Sequence, residues 1–298
     1  MPRKLIFFYN PISGTKSKQA LLDLITTTTS AANLAFEIQE TNAAGDYRYL
    51  TKKIEEEGIT DIVVCGGDGT VNQVAASLLQ SSVRIGIIPM GSGNGLALAA
   101  GIPKNASKAL EIIFKGKASP VDGFYINNHF SCMLCGLGFD AQVAHDFAKQ
   151  SKRGLSTYIK QTVKNFFAAR AYPFILDIDN KRIKTEAFFI SLANSNQFGN
   201  NVTIAPQASI CDGLIDVVVV KKMSKAKLLF ALLHQVMMGQ VTPSEKKYKK
   251  EDILYYQTRS LSIQNPLEAP LHIDGDPADT SKHFNIKIIE KAFLLLQP

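Results

Sequence analysis

Three glycine-containing loops, each directly after a short apolar segment, constrain the fold of the first half of this chain more than any other feature. The loops are Asn10-Pro-Ile-Ser-Gly14, Gly66-Gly-Asp-Gly-Thr70 and Pro89-Met-Gly-Ser-Gly-Asn94. The segments before them, at 4–9, 61–65 and 84–88, are short and apolar, as buried parallel strands are. Strand–loop–helix units that repeat in this way predict a parallel sheet with helices on both faces.

Helical patterns separate these strands. We predict helices over 17–29 and 70–79 and a strand over 34–40. A further helix is expected to begin after Asp46 as its N-cap and to end at Gly58, because these residue types favour those two positions.

The pattern changes from about residue 121, where strands joined by Asn-, Gly- and Pro-rich turns replace the alternation of strand and helix. Strands are predicted near 129–135, 173–179, 186–193, 215–220, 259–264 and 271–274. Two helices, at 155–168 and 224–238, carry apolar stripes that we expect to face a core. The stripe of the first comprises Leu155, Tyr158, Ile159, Thr162, Val163, Phe166 and Phe167. The second half is therefore predicted to be a mostly antiparallel β domain.

Positive charge is concentrated in two segments of the chain. The 298 residues carry a formal net charge of +7. Residues 149–170 include six basic residues and no acidic one, and residues 221–250 include eight lysines against Glu245. Because clustered lysines near anionic lipid contribute roughly 1 kcal/mol each, we predict peripheral membrane contact through these segments, with solvated helix faces as the alternative. Nucleic acid is not expected as a partner, since no stacking platform or reading motif accompanies the charge.

The sequence also indicates a compartment. No uncharged apolar run approaches the ~18 to 20 residues that cross a bilayer, and the N-terminal apolar stretch is too short for a signal peptide. Four cysteines are too sparse for a disulfide scaffold, and the pair Cys132 and Cys135 has no second pair or histidine to complete a metal site. We predict a cytoplasmic, peripherally membrane-associated protein whose oligomeric state stays open, with a homodimer as one option.

The three loops together indicate a phosphate site. Loops at the carboxyl ends of parallel strands line the ligand crevice, and glycines let backbone N–H groups approach phosphate oxygens. A P-loop is excluded because Gly14 has no partner glycine five residues earlier, and the GxGxxG pattern fails at Asn72 and Leu96. Asp68 within the second loop suits Mg²⁺ bridging or proton handling, and a turn-forming Asp-Gly is the alternative.

These loops, with Asn194 to Asp216 and His272-Ile-Asp-Gly-Asp276, resemble the diacylglycerol kinase catalytic-domain family, which includes sphingosine and ceramide kinases. The resemblance covers essentially the whole chain in order. It implies an N-terminal parallel α/β domain of the NAD-kinase/phosphofructokinase-like type, residues 1–124 completed by a returning segment at about 286–298. It also implies a C-terminal, mostly antiparallel β-sandwich domain at 125–285. ATP would bind over the first domain, and a lipid hydroxyl in the cleft between the domains would be phosphorylated.

The resemblance carries over to particular residues. The implied nucleotide contacts are Asn10, Pro11, Ser13, Gly14, Thr41, Gly66, Gly67, Asp68, Gly69, Thr70, Asn72 and Ser92. Asp212, with the backbone carbonyls of Ser209 and Leu214, corresponds to a structural Mg²⁺ site, where a simple turn at Asp212-Gly213 is the alternative. Asp276 stands where the family has its general base, so that Asp276 and Asp68 are the candidate catalytic residues.

Two departures from the family pattern keep other functions open. Asp276 replaces the usual glutamate, and Gly91-Ser-Gly-Asn-Gly95 replaces the Gly-Thr-Gly-Asn-Asp of many diacylglycerol kinases and is closer to sphingosine kinases. The acceptor is therefore a diacylglycerol, a sphingoid-type lipid or another lipid. The Gly66-Gly-Asp-Gly-Thr70 loop also resembles NAD kinases and phosphofructokinases, so an NAD-kinase-like enzyme with a soluble acceptor is one alternative. The other is a non-catalytic lipid or nucleotide sensor of the same fold, which only the departure at Asp276 supports.

Overall fold

Alternating strands and helices form the first part of the computed structural model, which describes residues 2–14, 18–42, 44–150, 155–197, 203–225 and 252–298. The chain divides into two units, Met1–Asp122 with Glu290–Pro298, and Gly123–Ile289. The domains predicted from the sequence were residues 1–124 with about 286–298, and residues 125–285, so the predicted boundaries lie within four residues of those of the two units. The chain passes from one unit to the other within two long strands, β5 (Ala118–Ile126) and β15 (His283–Leu296).

The first unit is an α/β sandwich around a parallel sheet. Its strands are β1 (Lys4–Tyr9), β2 (Ala35–Glu40), β3 (Asp61–Gly66) and β4 (Arg84–Pro89). Its helices are α1 (Lys18–Ala31), α2 (Tyr49–Glu57), α3 (Asp68–Ser77), α4 (Gly95–Ala99) and α5 (Ala106–Lys115). The sheet order is β2-β1-β3-β4, all parallel, and the end of β15 adds a fifth parallel strand beside β4. The predicted parallel α/β domain is confirmed.

Buried charge ties the amino ends of the central strands together. Asp61 is fully buried at the start of β3, and its carboxylate accepts hydrogen bonds from Arg3 at 2.9 and 3.1 Å and from Arg84 at 2.8 Å. Removing one partner of such a buried cluster typically costs about 3–5 kcal/mol, because a charge is left without compensation. These ion pairs lie at the amino ends of the strands. The three loops lie at the opposite edge of the sheet, at the carboxyl ends of the strands.

The second unit is antiparallel. Its strands besides β5 and β15 are β6 (His129–Ser131), β7 (Leu134–Gly138), β8 (Tyr172–Ile178), β9 (Lys181–Ala193), β10 (Ile215–Lys221), β11 (Ile253–Thr258), β12 (Ser260–Gln264), β13 (Leu271–Ile273) and β14 (Asp276–Ala278). The order β14-β13-β7-β9-β8-β12-β15 runs through the unit, and β10 pairs with β9 and β11. Two helices, α6 (Phe139–Ala148) and α7 (Leu155–Ala168), pack on each other.

Alternate residues of the strands supply two apolar layers. On β10, Ile215, Val217 and Val219 enter the large core between the strands of the β-sandwich. Val218 and Val220 of the same strand pack with Phe139 and Phe166 of the two helices. Both faces of the strand are therefore buried, which explains its uninterrupted apolar sequence. The predicted antiparallel β-sandwich domain is confirmed.

Several local predictions were wrong in detail. The single strand expected at 129–135 is two strands, β6 and β7. Helix α3 begins at Asp68, two residues before the predicted start, because its cap is Gly67. The N-cap of α2 is Arg48 and not the predicted Asp46. The Asp46 carboxylate instead accepts a hydrogen bond from the backbone N–H of Arg48 at 3.1 Å. Gly58 ends α2 in the left-handed conformation, as predicted.

Helix α7 has the predicted bounds but turns a different face inward. Gln161, Asn165 and Phe166 are buried, whereas Ile159 and Val163 are 42% and 53% exposed. The Asn165 side chain is satisfied locally, since it donates to the Gln161 carbonyl at 3.0 Å. The prediction that Ile159 and Val163 face a core was therefore wrong.

The predicted helix at 224–238 and most of the basic segment 221–250 lie outside the described residues. No helix in the described part of the chain is long and apolar enough to span a membrane.

Candidate active site

The three glycine-containing loops meet at the carboxyl edge of the parallel sheet. The Asn10 side chain donates to the Thr70 hydroxyl at 3.1 Å, which joins the first loop to the second. The Met90 backbone N–H donates to the Gly66 carbonyl at 2.8 Å, which joins the second loop to the third. These two bonds join the three loops into one surface, although Asn10 and Thr70 lie 60 residues apart in the sequence. This is the edge at which open α/β sheets bind their ligands.

Two glycines allow the second and third loops to touch. A Cβ built on Gly91 would lie 2.6 Å from the Gly67 Cα, and one built on Gly67 would lie 3.1 Å from the Gly91 Cα. The neighbouring atoms belong to the backbone and cannot rotate away, so side chains at either position would force the loops apart. Gly14 has a similar role at a positive φ of 69°, where a Cβ would meet the Met90 carbonyl oxygen at 2.8 Å.

The N-terminus of α3 supplies the electrostatics of this surface. Its N-cap residue is Gly67, which is extended and has no side chain that could cap the helix. Asp68 is the acidic residue of the first turn. A helix N-terminus carries partial positive charge and attracts phosphate. The half-buried carboxylate of Asp68 would repel that phosphate unless a divalent cation lay between the two. The arrangement therefore suits a nucleotide that binds as its magnesium complex.

The other predicted nucleotide residues lie on or beside the same loops. Thr41 follows β2, and its backbone N–H donates to the Tyr9 carbonyl at 3.0 Å. Because Tyr9 directly precedes the first loop, Thr41 lies next to that loop. Asn72 is half-buried on α3, while Ser92 is exposed on the third loop. In the first loop Pro11 is exposed and Ser13 half-buried. The structure thus brings all three loops and Thr41 to one edge of the sheet.

Sequence reasoning missed Asn94, which shapes the third loop. Its side-chain oxygen accepts from the Gly91 N–H at 2.8 Å, and its amide donates to the Gly91 carbonyl at 2.7 Å. Asn94 is buried and has a φ of 55°, in the left-handed region that asparagine tolerates better than most residues. An asparagine directly after Gly-Ser-Gly was the available signal.

A second cluster lies in the other unit, at the turn between β13 and β14. Asp274 is buried at a φ of 48°, and its carboxylate accepts from the Ser131 hydroxyl at 2.6 Å. It also accepts from the backbone N–H groups of Cys132, Met133 and Leu134 at 3.3, 3.1 and 2.9 Å. The adjacent strand thus holds the turn at several points. Sequence reasoning gave Asp274 no role of its own.

Asp276 is the exposed first residue of β14, opposite Ile273 in the hairpin. Asp276 lies at the surface, whereas Asp274 is buried and enclosed by its hydrogen bonds. The structure therefore places one carboxylate of the Asp-Gly-Asp turn in the interior and the other at the surface.

Burial raises the pKa of Asp274 to about 6 from an ordinary 3.8, although the hydrogen bonds from Ser131 and the backbone oppose this rise. Because the folded-state pKa exceeds the unfolded one, protonation of Asp274 favours folding below about pH 4, and this contribution is lost as the pH rises through about 6. A rise of about two units corresponds to roughly 3 kcal/mol.

We therefore expect Asp274→Asn to flatten the fall in unfolding free energy between about pH 4 and pH 7. Urea denaturation of parent and variant across this range measures the difference. Asp279→Asn, the same chemical change at an exposed position just beyond β14, is the matched control. If Asp274→Asn unfolds with the same pH dependence as the parent, the Asp274 carboxyl does not titrate in this range.

The groups around Asp212 show whether the Mg²⁺ site implied by the family resemblance is chemically reasonable. The Asp212 carboxylate accepts from the Leu214 N–H at 3.0 Å, which forms the turn. The neighbouring Asp216 is fully buried, and its Oδ2 has no hydrogen-bond partner among the described residues. Burial, with a smaller contribution from the charge of Asp212, raises the pKa of Asp216 to about 6.

Two nearby carboxylates, one with an unused buried oxygen, are the chemistry that a hard cation satisfies. No group of three or more His, Cys, Asp or Glu side chains that could hold a metal occurs among the described residues. Asp212 and Asp216 together suit a hard cation such as Mg²⁺, and Asp216 is an addition that sequence reasoning did not make. The contribution of the carbonyls of Ser209 and Leu214 stays a prediction.

Comparison with known proteins finds two matching domain families, one for each half of the chain. Residues 4–126 match the diacylglycerol kinase catalytic domain, and residues 134–287 match the YegS C-terminal NAD kinase beta sandwich-like domain. A probable lipid kinase YegS-like from Shewanella frigidimarina is 27% identical, over 84% of this chain and 80% of that protein. A diacylglycerol kinase from Bacillus subtilis is 24% identical, over 90% of this chain and 88% of that protein.

Solved structures show the same fold. The crystal structure of a putative diacylglycerol kinase from Bacillus anthracis superposes with a TM-score of 0.82 at 22% identity, over 99% of this chain and 97% of that one. The family and the relatives' names together indicate a kinase of the lipid-kinase type. The chain belongs to the family that joins a diacylglycerol kinase catalytic domain to a YegS-type C-terminal NAD kinase beta sandwich-like domain.

Proposed function

We propose that the protein transfers the γ-phosphate of ATP to the hydroxyl of a lipid, of the diacylglycerol or sphingoid type. The observation that carries the proposal is the meeting of three phosphate-compatible loops, through Asn10–Thr70 and Gly66–Met90, at the N-terminus of α3. Such a surface binds the phosphates of a nucleotide with backbone N–H groups and needs no P-loop lysine. The family relationship makes a lipid the expected acceptor.

The loops position the nucleotide and counter the charge that develops on it. Phosphoryl transfer depends mainly on in-line positioning and on electrostatic stabilisation of the transferring group. Backbone N–H groups of the loops and of the first turn of α3 would orient the phosphates, and the carboxylate of Asp68 would hold their Mg²⁺. When bound, Mg²⁺ supplies neutralisation of charge on the β- and γ-phosphate oxygens.

Asp276 activates the acceptor in this proposal. A lipid hydroxyl has a pKa far above neutrality, so a carboxylate within about 2.6–3.2 Å of its proton assists attack on phosphorus. Asp276 lies at the surface, where a hydroxyl can approach it, and Asp274 fixes the turn that carries it. Aspartate is one methylene shorter than the glutamate usual in the family, and the variant Asp276→Glu tests whether this difference alters the substrate or the rate.

The exposed face of α7 supports a lipid as the acceptor. Ile159 and Val163 lie one turn apart with large exposed fractions, and Lys160 and Lys164 beside them are exposed as well. From 149 to 170 the sequence has no acidic residue. A helix that presents apolar and basic side chains together suits an anionic lipid surface, where the apolar groups enter the interface and the lysines pair with headgroups.

We expect charge reversal at Lys160 and Lys164 together to weaken binding to phosphatidylglycerol-containing vesicles by at least about tenfold, since each lysine contributes roughly 1 kcal/mol. Ile159→Thr with Val163→Thr is expected to weaken binding at all salt concentrations, whereas raising salt to about 0.5 M should weaken the parent through screening. Vesicle sedimentation measures both.

Leu267→Thr, which replaces another exposed apolar side chain far along the sequence, is the control and should bind as the parent does. Unchanged sedimentation of both double variants would show that this face does not contact lipid.

The acceptor class is tested by incubating the purified chain with γ-labelled ATP and a panel of acceptors. Diacylglycerol, monoacylglycerol, a sphingoid base and ceramide represent the lipids, and NAD represents the soluble alternative. Label in a lipid supports the proposal, whereas label in NAD alone identifies an NAD-kinase-like enzyme. ATP binding without any labelled product would identify a sensor with the same fold.

A further inference from the structure

A buried acid–imidazole pair lies beneath the turn that carries Asp276. The side chains of Asp140, in the first turn of α6, and of His272, on β13, are 7% and 0% exposed. Asp140 Oδ2 lies 3.5 Å from His272 Nε2 and accepts no hydrogen bond among the described residues. Burying a carboxylate oxygen is costly unless a hydrogen-bond donor faces it, and the imidazole Nε2 is the group that faces Asp140 Oδ2.

Gly136 provides the space for this pair. It lies on β7 opposite His272 in the strand register. A Cβ at this position would come within 2.0 Å of Asp140 Oδ2 and 2.4 Å of His272 Nε2. Contacts this short are incompatible with a side chain, so glycine here permits both groups to approach each other over the strand.

The other nitrogen of the imidazole faces the turn. The Gly275 backbone N–H donates to His272 Nδ1 at 3.3 Å. Nδ1 can accept this bond only if it carries no proton, so the ring proton of the neutral imidazole must be on Nε2, toward Asp140. The Ala141 N–H donates to Asp140 Oδ1 at 2.8 Å, which leaves Oδ2 directed at the imidazole.

We propose that Asp140 is a positioning residue, which holds the proton of His272 on Nε2 so that Nδ1 accepts from Gly275 and fixes the Asp274-Gly275-Asp276 turn. The proposal rests on the proposed function in one respect, since it is Asp276 that the turn presents to the acceptor. Asp140 touches no reacting atom in this account. Its effect on the reaction passes through His272 and the Gly275 backbone.

The direct test is the tautomer of His272. Two-bond ¹⁵N–¹H correlation spectra of the ¹⁵N-histidine-labelled chain report which ring nitrogen carries the proton, and the His272→Asn variant assigns the signal. We expect Nε2–H in the parent. In Asp140→Asn the amide oxygen keeps the Ala141 N–H, so the amide NH₂ faces the imidazole and the proton moves to Nδ1. A parent proton on Nδ1, or an unchanged tautomer in the variant, overturns the proposal, even if the chain has no kinase activity.

The kinetic test separates positioning from general damage to the fold. Asp140→Asn is expected to lower kcat by on the order of 10- to 100-fold with the KM for ATP unchanged, since small displacements of a reacting group have effects of this size. Asp146→Asn, the same change on the same helix, is the matched control and should retain the parent kcat. Equal kcat values for the parent and Asp140→Asn contradict the proposal.

A third comparison decides the case if Asp140→Asn does not fold. His272→Asn keeps a side-chain oxygen that can accept from Gly275, whereas His272→Leu keeps only the volume. We expect a kcat for His272→Asn that exceeds that of His272→Leu by on the order of tenfold. Equal values would show that the bond to Gly275 does not support the reaction.

Discussion

Asp276→Asn is expected to lower the turnover of a lipid hydroxyl by roughly 10²- to 10⁴-fold, because a positioned general base contributes an effect of that size. Asparagine keeps the volume and turn propensity of aspartate but cannot take the proton. Asp276 is exposed on β14, and circular dichroism and thermal unfolding check that the variant keeps the parent fold. Steady-state kinetics with saturating ATP measure kcat, and the KM for ATP should stay close to the parent value.

Two further variants sharpen this test. Asp276→Glu restores the reach usual in the family and is expected to retain or raise activity. Asp279→Asn makes the same chemical change at another exposed position just beyond β14 and should have the parent kcat. If Asp276→Asn turns over lipid at the parent rate, the base lies elsewhere. Asp68 is then the next candidate, since Asp274 is buried and enclosed by its hydrogen bonds.

Asp68→Asn is expected to abolish phosphoryl transfer, with a loss on the order of 10³-fold or more, because the amide cannot hold the cation that neutralises the phosphates. Asp68 is half-buried in the first turn of α3, where neutral asparagine is also compatible with the helix. The fold should therefore persist, which circular dichroism and thermal unfolding check.

The matched control for this variant is Asp23→Asn on α1 of the same unit, an exposed aspartate away from the loops. Its activity should equal that of the parent. Release of ADP, measured with and without Mg²⁺, distinguishes a defect in metal use from a defect in acceptor activation. A folded Asp68→Asn protein with unchanged turnover would remove Asp68 from the mechanism.

Much of the first unit was predictable because its signals are local. Each strand ends in a glycine-containing loop, and the carboxyl ends of parallel strands share one edge, so the meeting of Asn10 with Thr70 follows from topology. The backbone contact between Gly67 and Gly91 was not predictable in the same way. It depends on the exact path of two loops, as does the role of Asn94 in holding the third.

The second unit shows where sequence patterns are insufficient. The apolar stripe of α7 predicted a core-facing side, yet the structure exposes Ile159 and Val163 and buries Gln161. Helical periodicity locates an apolar face but not the element that covers it. The partnership of Asp274 with Ser131, and that of Asp140 with His272, joins residues more than 125 positions apart through strand pairing. No spacing in the sequence reports such contacts.

The central claim is that the γ-phosphate of ATP moves to a lipid hydroxyl. Its most direct measurement is mass spectrometry of lipid extracted after reaction with ATP that carries ¹⁸O in the γ-phosphoryl group, using vesicles of diacylglycerol or sphingoid base in an anionic lipid. The account predicts a phosphorylated lipid that retains the ¹⁸O label, formed by the parent and strongly reduced in Asp276→Asn. Label found only in inorganic phosphate or in a soluble acceptor, with no labelled lipid from any vesicle, would contradict it.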